Sequence, residues 1–223
     1  MKRTKLCDRV LPIYSPAEET TNMVTHIIGG ALGVIALVLC ILRSAAHGNT
    51  AGIVTSCVYG ASMISLYTMS SVYHGLRPGM GKKVMQVIDH CTIYLLIAGS
   101  YTPIMVCSMA PRYPVIGWGL LAFVWALAIL AATLTAIDLK AYKVFSMSCY
   151  IAMGWAIIFF IPQLLTVLSM EGFVLLLAGG IAYTVGAILY GLGKKVPWMH
   201  SVFHVFVVLG SLLQFLCIYL HVL

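Results

Sequence analysis

Long runs almost free of charge recur along this chain, at residues 23–42, 50–75, 84–109, 114–137, 143–162, 172–192 and 197–222, with short polar segments between them. About 20 apolar residues let an α-helix cross the ~30 Å hydrocarbon core of a bilayer, where only helices and closed barrels satisfy their own backbone hydrogen bonds. Of the residues, 61% are hydrophobic and 9% charged, too few charges for an ordinary soluble domain, where roughly 25% are charged. The expected fold is an all-α integral membrane protein with seven transmembrane helices. What remains is an N-terminal arm over residues 1–22, expected to be retained because it has no apolar core of its own, followed by one seven-helix domain over 23–223. The fifth run contains Pro162, which predicts an early end or an irregular segment there.

Orientation follows from the cations. Lys and Arg outnumber Asp and Glu by 13 to 6. In a seven-span topology Lys2, Arg3, Lys5 and Arg9 of the arm share a side with Arg77, Lys82, Lys83, Lys140, Lys143, Lys194 and Lys195, leaving Arg43 and Arg112 opposite. The positive-inside rule then predicts a cytoplasmic N-terminus and an outside C-terminus in the plasma (inner) membrane. Cations used this way encode topology, so no nucleic-acid partner is expected. The seven cysteines are scattered and form no CxxC pair, which reads as small apolar residues, neither a disulfide framework nor a thiolate metal site. Gly29, Gly33, Gly179 and Gly180 are expected where helices approach closely, and Tyr73 and Trp198 as interfacial anchors.

The chemistry concentrates at one depth. Asp89 is the only carboxylate inside a predicted span, and an ionisable group at that depth costs at least about 2.5–3.5 kcal/mol on insertion scales, which marks it as a functional candidate. Its bland alternative is a wetted position or a pair with Lys82 or Lys83. His200 and His204, four apart in HSVFH, share one helix face at a spacing that suits two ligands on one metal ion, although HxxxH alone is a weak signal. His74 ends the second run in SSVYH, with Ser70 one turn earlier on the same face. The predicted directions of the second, third and seventh helices bring Ser70, His74, Asp89, His200 and His204 to one membrane layer near the cytoplasmic side. Three imidazoles with an open fourth position are the ligand set of a catalytic Zn2+, which lowers the pKa of a bound water to about 7. Asp89 would orient or deprotonate that water and Ser70 would hydrogen-bond it or a developing oxyanion. A structural zinc tying three helices together, or cobalt or nickel in its place, stays open. His26 lies close in depth, His90 is rotated about 100° from Asp89, and His47 and His221 fall at the opposite side.

The chain resembles the hemolysin III family, the bacterial branch of the progestin and adipoQ receptor superfamily. The likeness runs through YSPAEETTNMVTHIIGG, SSVYH, IDHCTIYLLIAGSYTP, GGIAYTVGAILY and HSVFHVFVVLGS. It implies seven spans, a cytoplasmic N-terminus and a zinc ion held by His74, His200 and His204, with Ser70 and Asp89 beside the metal-bound water. Gln214 departs from the pattern, since many bacterial members carry a histidine there. The resemblance points two ways: toward lipid amide or ester hydrolases and lipid-responsive membrane proteins, and toward pore-forming cytolysins with a structural zinc or receptors without turnover. Membrane lipid is the expected partner, and a homo-oligomer is compatible with such a chain.

Overall fold

The first helix begins about two turns before its apolar run, and the cause is local. Ser15, Pro16 and Glu18 form a capping box: the Glu18 amide donates to Ser15 Oγ at 3.2 Å, and the Ser15 amide donates to Glu18 Oε2 at 2.9 Å. Pro16 supplies the preset first helical residue, and Glu18 and Glu19 place negative charge against the helix N-terminus. Two carboxylates read from the sequence as part of the arm therefore stand in a span-length helix.

The computed structural model describes residues 3–193 and 195–223. Lys2 and Lys194, both counted in the charge asymmetry, lie outside the described residues. Seven helices are long and apolar enough to cross a membrane: α1 (Pro16–Ala46), α2 (Thr50–Gly75), α3 (Met80–Arg112), α4 (Pro114–Ile137), α5 (Lys143–Leu164), α6 (Met170–Leu192) and α7 (Met199–His221). There is no strand among the described residues. The protein is an all-α, multi-pass membrane protein. Its outward faces are aliphatic, as at Leu42, Ile129 and Ile188, each more than half exposed. Those side chains suit lipid as solvent. All seven cysteines are free.

Close approach between helices depends on missing side chains. A Cβ on Gly29 would sit 2.5 Å from the Tyr67 ring, so glycine lets that ring lie flat on α1 while its hydroxyl donates to Ser211 Oγ at 2.7 Å on α7. Gly179 likewise receives Gln214, whose side chain donates to the Leu176 carbonyl at 3.1 Å. Gly180 has no such tight neighbour, its nearest atoms being 3.9 Å away on Trp155.

Two helices are irregular. Pro103 neither ends nor breaks α3: the chain passes into a π-helical turn at Ile104–Met109 and continues to Arg112. α5 changes from α-helix to a tighter 3-10 segment at Ala156–Phe160, where the Ile157 amide donates to Tyr101 Oη at 3.1 Å. Helix resumes at Ile161–Leu164 with Pro162 in its first turn, so the expected irregularity is present but starts before the proline.

The arm crosses the end of the bundle where α2 finishes and α7 begins. Arg3 Nε donates to the Ile137 carbonyl at 2.9 Å, Lys83 Nζ donates to the Cys7 carbonyl, and the Thr4 amide donates to Asp138 Oδ2 at 2.7 Å. Asp138 Oδ1 also accepts the Lys140 and Ala141 amides, each at 3.1 Å. These amides hold its carboxyl below the usual carboxylate range. The Asp138 tether is thus fully formed above the unfolded value of about 3.9 and is lost as pH falls through the lower folded value. Asp138→Ala is expected to raise amide exchange over residues 4–9 by about tenfold at neutral pH, the loss of roughly 1.4 kcal/mol of local protection. The wild type should show the same release only below about pH 4. Unchanged exchange in the variant would remove the tether.

Candidate metal centre

His74 is the pivot of the site. It lies on the last turn of α2, 3% exposed, and its Nδ1 is 2.6 Å from Glu19 Oε2. An ionised carboxylate only accepts, so this contact puts the ring proton on Nδ1 and leaves the Nε2 lone pair for another partner. Nε2 is buried and has no hydrogen bond. His200 and His204 approach from the first turns of α7, 7% and 1% exposed, with Nε2 atoms 3.1 Å apart. Ring centroids are 5.3 Å apart for His74 and His200, 4.8 Å for His74 and His204, and 4.8 Å for His200 and His204. One nitrogen from each ring fits within 4.8 Å of the others.

This donor set fits a metal ion. Two imidazoles on a tetrahedral ion at about 2.0–2.1 Å place their nitrogens about 3.3 Å apart, close to the His200 and His204 separation. The buried, unpartnered Nε2 of His74 costs free energy that a coordinate bond would offset. Glu19 completes a carboxylate–histidine pair, which fixes tautomer and ring orientation in metal sites.

The start of α1 builds the support. Glu19, Asn22 and His26 lie on one helical face. Glu19 Oε1 accepts Lys82 Nζ at 2.6 Å, and Lys82, 3% exposed, also donates to the Leu76 carbonyl at 3.0 Å. The two cationic or proton-donating partners therefore come from opposite ends of the α2–α3 loop. Asn22 Nδ2 is 3.4 Å from His74 Nδ1. His26 stacks on His204 with centroids 3.8 Å apart and meets the Tyr67 ring edge-on at 5.0 Å. Glu18 Oε1 accepts the Trp198 amide at 2.7 Å. Trp198 caps α7 with φ of 66°, a left-handed conformation costly for a bulky residue. That hydrogen bond joins the start of α1 to the turn that aims His200.

Asp89 and Ser70 stand beside the histidines and outside the three-nitrogen cluster. The Ser70 hydroxyl contacts the Asp89 carboxyl across α2 and α3. Both line a cavity of about 710 Å³ with His26, His200 and His204. Asp89 side-chain exposure is 15%, facing that cavity, and its Oδ2 is 3.8 Å from His90 Nδ1. Lys82 is engaged by Glu19, so the bland pairing of Lys82 with Asp89 is not formed. His90 turns aside to Tyr190 Oη at 3.3 Å. Tyr73, expected as an interfacial anchor, is 3% exposed and packs on His74 with Lys82 over its ring, because α3 covers it through Lys82 and Gln86. Trp198 is 46% exposed, as an anchor would be. Gln214 lies ten residues beyond His204 on α7, about 15 Å along the axis, and lines the far part of the same cavity.

The cavity runs between α3, α5, α6 and α7, and its walls are mostly apolar, from Ile93 and Ile97 to Phe173 and Leu176. Ile151 and Ile158 of α5 and Leu177 of α6 line it, and each is more than one third accessible. Its mouth at the site end is bordered by the arm. There Tyr14 stacks on His200 with centroids 4.7 Å apart, and burial pushes its hydroxyl pKa well above the ordinary value.

Glu19 was the residue that sequence reasoning missed. Its signal was present in SPAEE, since a capping box at Ser15 carries both glutamates into the first helical turn.

Comparison with known proteins finds relatives over most of the chain. A family model described as Haemolysin-III related matches residues 14–215. "Hemolysin-3" of Bacillus cereus is 42% identical over 206 residues, covering 92% of each chain. "Hemolysin-3 homolog" of Bacillus subtilis (strain 168) is 37% identical over 206 residues, covering 92% of this chain and 95% of that one. A more distant likeness is to human "Monocyte to macrophage differentiation factor", 26% identical over 177 residues, covering 74% of this chain and 69% of that one.

If the cluster holds a metal, mass spectrometry of detergent-purified protein is expected to find about one ion per chain, lost in the His200→Ala, His204→Ala double variant. Glu19→Gln should retain the fold and weaken metal affinity roughly 10–100-fold. Equal metal retention by Glu19→Gln in a chelator titration would separate Glu19 from the site.

Proposed function

The chain belongs to the Haemolysin-III related family, and from that premise we propose that it is a membrane zinc protein that hydrolyses, or responds to, an amide or ester lipid. The observation that carries this is a cluster of three buried imidazoles, two of which, His200 and His204, line a largely apolar cavity together with Asp89 and Ser70. When bound, zinc supplies Lewis acidity toward a carbonyl oxygen and lowers the pKa of a water molecule to about 7.

The chain's own groups supply the rest. An acyl chain entering between α5 and α6 would lie along Ile93, Ile97, Phe173 and Leu176, which directs its carbonyl toward the histidine end. Asp89 would take a proton from the attacking water at a carboxylate oxygen and return it to the departing amine or alcohol. Ser70 Oγ, shared with Asp89, would orient that carboxylate or donate to the oxygen on which charge develops. His26 and Glu19 would hold His204 and His74 in place. Tyr14 covers His200 and keeps bulk water from the arm side. A cytoplasmic N-terminus belongs to the same proposal, supported by the gathering of Arg3 and Arg9 of the arm, Lys140 of the α4–α5 loop, and Lys83 and Lys143 of the first turns of α3 and α5 at this end.

A cytolysin with a structural metal is favoured by one observation, the name "Hemolysin-3" of the Bacillus cereus relative. Liposome leakage caused by purified protein, and surviving His200→Ala, would support it.

Asp89→Asn is expected to keep the metal and lose turnover of amide and ester lipids by at least about 100-fold, within the usual range for a general base. Undiminished hydrolysis in that variant would exclude the catalytic role, and product formation absent from the wild type would leave lipid sensing as the surviving half.

A further inference from the structure

Arg9 presents a charge that the site as described does not use. Only 9% of the residue is exposed, it lines the main cavity, and its Nη1 is buried without a hydrogen-bond partner. No carboxylate lies within 4 Å of it among the described residues. The nearest anionic influence is Asp138, whose two oxygens are already taken by the Thr4, Lys140 and Ala141 amides. On its other side Arg9 borders a smaller cavity of about 210 Å³ walled by Val84, Val87, Ile88 and Ile137 with Arg3, again without a carboxylate. A topology signal needs only a cation in water. An Nη1 enclosed this far needs an acceptor, because a buried donor left unpaired costs free energy.

The surroundings say which acceptor. Lys140 and Lys143 border the same cavity, whose lining carboxylates are Asp8, which accepts from Cys7 Sγ, and Asp89 beside Ser70. Three cations facing one opening match a doubly charged oxyanion better than a carboxylate, and a guanidinium fork is shaped for phosphate oxygens. Behind this polar rim the cavity is apolar, and its volume of about 710 Å³ falls within the ~300–1,000 Å³ of small-molecule sites. A polar anionic end beside a long apolar space is the shape of a lipid.

We propose that Arg9, with Lys140 and Lys143, binds the phosphate headgroup of an anionic lipid whose acyl chain occupies the cavity, giving the lipid of the proposed function a phosphate-bearing class. The assignment rests on that function only for turnover; the binding site stands on its own geometry. The arm that crosses the bundle end is then a part of the ligand site, and its tether to Asp138 sets where the guanidinium sits.

The test is equilibrium binding by full-length protein in neutral-detergent micelles, with melting temperature as a second readout. The probes are dioleoyl phosphatidic acid, dioleoylglycerol, oleate and inorganic phosphate. Phosphatidic acid is expected to bind and to raise the melting temperature, at least tenfold more tightly than dioleoylglycerol or oleate. Arg9→Ala and the Lys140→Ala, Lys143→Ala double variant should each lose at least tenfold in affinity, and Arg9→Lys should recover part of it. The lysine variants keep the test decisive should Arg9→Ala not fold. Equal binding of dioleoylglycerol, equal binding of oleate, or full affinity in both alanine variants would overturn the proposal. Stabilisation by inorganic phosphate alone, matching phosphatidic acid, would overturn the lipid and leave a free-anion site. Metal content and lipid hydrolysis are read separately, so failure of the hydrolase proposal leaves this result standing.

Discussion

Everything at the histidine end depends on one carboxylate with two obligations. Glu19 accepts from His74 and from Lys82, each at 2.6 Å, and so joins α1, the end of α2 and the start of α3. A buried ion pair of this kind contributes little net stability, yet removing one member leaves the other stranded. Its value lies in geometry. It decides which nitrogen of His74 carries the proton, and therefore which nitrogen faces His200 and His204. Glu18, its neighbour, performs the matching task for α7 by bonding the Trp198 amide. The first turn of the first helix thus aims ligands on the second and the last.

The fold was largely legible because the bilayer imposes a single, strong periodicity. Seven apolar runs gave seven helices, and their alternation placed Ser70, His74, Asp89, His200 and His204 at one end, where Asp89 and Ser70 meet beside the three histidines. Less legible was whatever depends on packing between runs. Glu19 read as a solvated arm residue because composition changes sharply after Asn22, while the helix start is set by a four-residue hydrogen-bonded motif that composition does not register. Tyr73 read as an interfacial ring because depth was known and cover was not: Lys82 and Gln86, which cover it from α3, are polar residues with no apolar pattern to announce the packing. The break in α5 was visible as Pro162, but its position was fixed by Tyr101 reaching the Ile157 amide from α3.

The cavity and the arm give the membrane end a division of labour. Rigid helices carry the groups that must keep an exact spacing, His74, His200 and His204 above all. The arm, held by hydrogen bonds at Arg3, Thr4 and Lys83, carries groups whose task is to border an opening, namely Tyr14 and Arg9. A loop borne on hydrogen bonds opens locally at far lower free energy than a packed helix, so the border can yield while the nitrogens stay fixed.

The split of the site between the two ends of the chain has a consequence for biosynthesis. Glu19, His74 and Lys82 leave the ribosome early, whereas His200 and His204 arrive with the final span. During that interval the Lys82 partner of the carboxylate is already made, at the start of the third span. The ion pair that looks like mere support in the finished molecule has, in the nascent one, both members made before the last span. Completion of the three-histidine cluster is a late event by construction, and a chain truncated before α7 would lack two of its three members.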